Sequence, residues 1–124
     1  MEKLFIEKTT SKPQIILDPI NGICEISGTS MPEDVKLIYT PVFDWLDNFG
    51  KSANQSITFN FKFIYFNTAS AKMILDILLR LDALSKLGKK VTINWHYKAA
   101  DLDMEEAADD YEDMISIPIN KIKV

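Results

Sequence analysis

Residues 65–72 read Tyr-Phe-Asn-Thr-Ala-Ser-Ala-Lys, and they join two patterns of different period. Upstream, Ile57, Phe59, Phe61, Phe63 and Tyr65 alternate with Thr58, Asn60 and Lys62, the two-residue repeat of a strand with one apolar face. Ile64 and Phe66 make the second face apolar too, which predicts cover on both sides at that end. Downstream, Ile74, Ile77, Leu78, Leu81 and Leu84 fall on one stripe of a helix, and Gly88 after Lys86 is a stop signal. Val91, Ile93, Trp95 and Tyr97 then alternate with Thr92, Asn94 and His96. A strand over 57–66, a helix over 69–87 and a strand over 90–97 imply a right-handed parallel βαβ crossover.

The flanking sequence extends this into an α/β domain with a mixed β-sheet and packed helices. Leu4 to Glu7 forms a short opening strand. Gln14 to Ile20 and Ile23 to Ser27 flank Asn21-Gly22, a dipeptide suited to a two-residue hairpin turn. Pro19 lacks a donor and puts the first of these strands at an edge. Pro32 opens a helix with Glu33 and Asp34 in its first turn, running to Asn48–Gly50, and Pro41 is expected to kink or split it. An acidic helix spans Asp101 to Asp113, followed by an apolar stretch from Ile115 to Val124.

The 124 residues fit a single domain over 1–124, and 47% apolar with 26% charged residues is globular composition. No apolar run approaches the roughly 18–20 residues that cross a bilayer, and the N-terminus has no signal-peptide block. A net charge of −4 argues against nucleic acid, whose phosphates demand clustered cations. Cys24 is alone, so no internal disulfide forms and a cytoplasmic location is expected.

No cofactor or metal is expected. His96 is the sole histidine, which excludes a multi-histidine metal site. Asp101, Asp103, Glu105, Asp109 and Glu112 match the ligand spacing of a calcium loop, but Glu106 stands where its sharp turn needs glycine. Met104, Ala107, Ala108 and Tyr111 instead make a helical stripe, leaving the acids as a solvated face or a docking surface for a basic partner.

The junction itself carries the functional expectation. Either Asn67 or Thr68 can cap the helix, and with Ala71 in place of Glu or Gln there is no capping box. Hydroxyls there lie beside unpaired N–H groups that favour negative charge. Thr68, Lys72, Leu75 and Leu79 follow the spacing i, i+4, i+7, i+11, an outward line that offers a partner patch if the leucines are exposed. An alternative is a small hydrolase using Ser70 and His96, although no Gly-x-Ser-x-Gly elbow is present.

Residues 65–72, with Met-Pro-Glu-Asp at 31–34, Trp-His-Tyr at 95–97 and Asp-Leu-Asp-Met-Glu-Glu at 101–106, resemble the SiaC-like bacterial regulatory phosphoproteins over nearly the whole chain. That family is similar in plan to STAS domains, the anti-sigma-factor-antagonist fold, in which a Ser or Thr after an Asp accepts a phosphate. Here Asn67 takes the Asp position and Thr68 the acceptor position, with Ser70 as second choice. The resemblance implies a non-enzymatic adaptor, phosphorylated by a serine/threonine kinase of the histidine-kinase-like ATPase type and dephosphorylated by a PP2C-type phosphatase. It further implies that the unphosphorylated form binds and stimulates a diguanylate cyclase, linking it to cyclic di-GMP and biofilm behaviour. An anti-sigma-factor antagonist is the alternative with the same switch.

Overall fold

The computed structural model describes residues 1–124. Six strands, β1 (Leu4–Ile6), β2 (Gln14–Asp18), β3 (Ile23–Ser30), β4 (Ser56–Phe66), β5 (Lys90–Tyr97) and β6 (Asn120–Lys123), form one sheet in chain order. The first two pairings are antiparallel and the next three parallel. Each parallel step is bridged by a helix: α1 (Val35–Lys51), α2 (Thr68–Lys86) and α3 (Leu102–Glu112). Because the strand order advances in one direction, crossovers of one hand stack all three helices on the same face. Burial agrees: Ile15, Leu17, Cys24, Ile26, Ile57, Phe59, Phe61, Ile93 and Trp95 are buried on that face, while Glu25, Thr58, Asn60, Asn94 and His96 on the other stay partly exposed. The bare face carries a row of amides, in which Asn94 donates to Asn60 at 2.9 Å and Asn120 donates to Asn94 at 3.2 Å.

Several local expectations need correction. The β2–β3 connection is a four-residue loop, since Asp18 pairs with Ile23, and Pro19 opens that loop instead of ending a strand. The Asp18 carboxylate organises the loop by accepting from the backbone of Ile20 and Asn21. Edge position belongs to β1, which covers β2 on that side. Asp34 is the N-cap of α1, accepting from Leu37 N, so neither it nor Glu33 lies in the first turn. Pro41 does not divide α1, which runs unbroken through it. The C-terminal stretch ends in β6, a strand that the polar sequence Asn-Lys-Ile-Lys does not advertise.

The end of β4 is also not covered on both sides. The β3–β4 register slips between Gly28 and Thr29: Gly28 pairs with Phe63 but Thr29 pairs with Tyr65, leaving Ile64 without a partner. Gly28 takes φ +93° at this bulge. One extra residue reverses the alternation. Ile64 and Tyr65 therefore turn to solvent, 69% and 53% exposed, while Phe66 packs with Phe63, Trp95 and Tyr111.

Candidate functional site

The site is built where β4 hands over to α2. Asn67 is the helix N-cap: its Oδ1 accepts from Ser70 N at 2.9 Å and its carbonyl from Ala71 N at 2.9 Å. The Asn67 N–H is in turn fixed by Ser30 O at the end of β3. Two strand ends thus set where the first turn of α2 begins. Asn67 does the capping, so Thr68 becomes the first helical residue and its side chain stands free in solvent. The Thr68 and Ala69 N–H groups lie ahead of the first bonds of the ladder, leaving partial positive charge at this end.

Ser70 has the opposite fate. It is 0% exposed, donates to Ser30 O at 2.9 Å and lies 2.8 Å from Ser30 Oγ. Ser30 Oγ is 2.6 Å from Tyr39 Oη on α1, closing a buried hydroxyl cluster that ties β3, α1 and α2 together. Burial pushes the Tyr39 phenol up to about 12, so it remains a neutral hydrogen-bonding group. From the other side Tyr111 of α3 donates to Ala71 O at 2.8 Å. Every element around the first turn of α2 holds it, yet none covers Thr68.

The outward line of α2 is only partly exposed. Thr68 and Lys72 are in solvent and Leu79 is 46% exposed, but Leu75 is half-buried against the core. Ser70 and His96 do not meet. Ser70 lies on the helix-covered side of the sheet and His96 on the bare side near Glu25 and Lys62, so the hydrolase arrangement is overturned. The carboxylates spaced like a calcium loop are dispersed along a helix. Asp101 caps Met104 N, Glu105 accepts from Tyr97 Oη, Asp109 pairs with Lys121 and Glu112 accepts from Ile119 N.

A model described as the SiaC family regulatory phosphoprotein matches residues 6–124. The chain belongs to the SiaC family. An uncharacterized Pseudomonas aeruginosa (strain UCBPP-PA14) protein is 30% identical over 118 residues, 95% of this chain and 94% of that one. The crystal structure of apo-SiaC from Pseudomonas aeruginosa superposes with a TM-score of 0.92 at 29% identity, covering 98% of this chain and 99% of that chain. A crystal structure of the diguanylate cyclase SiaD in complex with its activator SiaC, also from Pseudomonas aeruginosa, contains a chain similar at TM-score 0.93 and 28% identity. Coverage there is again 98% of this chain and 99% of that chain. The small α/β domain with a mixed sheet is therefore the SiaC fold, and this chain is a regulatory phosphoprotein of that family. Ser30 and Tyr39, which complete the SiaC-fold junction, are invisible to local pattern reading because they reach Ser70 and each other across 40 and nine positions.

Proposed function

We propose that this chain is a non-enzymatic adaptor switched by reversible phosphorylation of Thr68, and that its unphosphorylated form binds and stimulates a diguanylate cyclase. The observation that carries this is the contrast between the two hydroxyls of one helical turn: Thr68 is exposed, Ser70 sealed. A phosphate on Thr68 brings a charge of about −1.5 to −2 and three acceptor oxygens to a helix start with free N–H groups. That location favours the charge by about 0.3–1 kcal/mol. Lys72, one turn on and outside the ion pairs of the molecule, is placed to face the phosphate.

The partner surface then comprises Asn67, Thr68, Lys72, Leu75 and Leu79, with Leu79 the main apolar contact. Phosphorylation puts charge at its upper end and opposes docking by desolvation and repulsion. A kinase of the histidine-kinase-like ATPase type adds the phosphate and a PP2C-type phosphatase removes it, in the cytoplasm. The cyclase is the favoured target because a structurally similar SiaC is an activator of the cyclase SiaD.

The test is intact mass after incubation with the kinase and ATP, followed by cyclase turnover. Wild type is expected to gain one phosphoryl group and lose stimulation, while Thr68→Ala gains none and stimulates throughout. An unchanged wild-type mass sinks the switch, and an added group that persists in Thr68→Ala moves it elsewhere.

A further inference from the structure

The bulge that turns Ile64 outward also builds a groove on the bare side of the sheet edge. It encloses about 260 Å³, and its apolar walls come from Phe63, Ile64, Tyr97 and Val124. Its rim carries two cations, Lys62 and Lys98, the imidazole of His96 borders it as well, and no carboxylate side chain lines it. Lys62 is held by Glu25 at 2.6 Å, whereas Lys98 is exposed and outside the ion pairs of the molecule. This cationic rim runs against a net charge of −4 for the chain.

Across Ile64 lies a second groove with the reverse character, lined by Tyr65, Phe66 and Met104 and rimmed by Asp101 and Asp103. Ile64 is thus an exposed apolar ridge with positive charge on one side and negative charge on the other. An apolar anchor docking beside it is sorted by the charges that accompany it.

We infer that the cationic groove receives a short acidic segment of the effector, seating one aliphatic or aromatic side chain beside Ile64 with a carboxylate facing Lys98. This rests on the phosphorylation reading above and gives its partner a chemistry. A phosphate on Thr68, four residues past Ile64, adds negative charge to the same sheet edge, and an acidic partner is the kind it repels. The exposed lysines contribute selectivity and on-rate more than affinity, which comes from the buried anchor.

Two measurements test it. In the first, the isotope-labelled protein is titrated with the peptide Glu-Leu-Glu-Phe-Glu and with its counterpart Lys-Leu-Lys-Phe-Lys while backbone amide shifts are followed. The acidic peptide should move the amides of Ile64, Tyr97, Lys98 and Val124. Ile64→Asp should abolish those shifts, and Lys98→Glu should weaken binding several-fold. No shifts with the acidic peptide, the same shifts with the basic one, or the same shifts with inorganic phosphate alone each overturn the inference. In the second, Ile64→Asp should weaken binding to the purified cyclase by about tenfold or more, with an unchanged melting curve because Ile64 is exposed. Equal binding of the variant and wild type removes the groove and leaves the cyclase reading intact. A wild type that ignores the cyclase removes that reading, and the peptide titration still decides the groove.

Discussion

Thr68 and Ser70 sit two positions apart in one helical turn, and their neighbours decide their separate fates. Replacing Ser70 by Ala leaves Ser30 Oγ and the Ser30 carbonyl with fewer partners in a buried site. Such a loss costs about 1–3 kcal/mol, so urea unfolding should show S70A destabilised by that amount while kinase labelling at Thr68 persists. Thr68→Ala, at an exposed position, should unfold within about 0.5 kcal/mol of wild type. His96 provides a pH signature: burial, then the charge of Lys62, holds its pKa below the ordinary 6.5. A base with a depressed folded pKa favours the neutral form in the native state. Its stabilising contribution is whole above pH 6.5 and declines as pH falls through the lower folded value. His96→Gln should flatten that acid-side decline, and the imidazole shifts in NMR should titrate below 6.5 in wild type. Of this residue-scale detail, the capping choice between Asn67 and Thr68 was narrowed to two by sequence alone. The sealing of Ser70 was not, because it depends on Ser30, 40 positions away.

Strands and helices were legible where their own periodicity carries the signal. The stripe Ile74, Ile77, Leu78, Leu81 and Leu84 is buried as its spacing requires, and β4, α2 and β5 fall within a residue of expectation. Irregularities escaped because their causes lie on partner elements. The bulge at Ile64 depends on Gly28 of β3, and β6 is an edge strand whose lysines suit an edge but disguise a strand. Gly28→Ala meets no steric obstacle, yet φ +93° strains any Cβ, so a loss of about 1–2 kcal/mol in denaturant unfolding is expected. Gly22→Ala should be worse, since its Cβ would run into the Ser56 carbonyl where the hairpin crosses the start of β4. Asp82 does comparable work on the C-terminal segment, accepting from Ser116 N at 3.1 Å and Ser116 Oγ at 3.2 Å while 6% exposed. Asp82→Ala should cost about 1–3 kcal/mol and accelerate amide exchange at Ser116 and along β6, leaving β2 and β3 protected.

Across the molecule, stacking three helices on one face divides the surface into distinct jobs. The α2 side offers Leu79 beside Lys72, and the bare side offers polar amides and the groove beside Ile64. Leu79→Asp should therefore impair effector binding without changing the melting temperature. Leu78→Asp, one position away but fully buried, should prevent folding. Overall architecture was readable because parallel crossovers of fixed hand leave few arrangements of these elements. Which surface meets a partner was less so: Leu75 and Leu79 share one outward line, but only the packed molecule separates a half-buried leucine from an exposed one. The sealing of Ser70 has a further consequence at the level of a population. With Thr68 open and Ser70 shut away, the proposed switch at Thr68 implies that each molecule carries one phosphate or none, so that the signal would be the fraction of molecules converted. Ion-exchange chromatography of partly phosphorylated protein should resolve two species, with no doubly modified third.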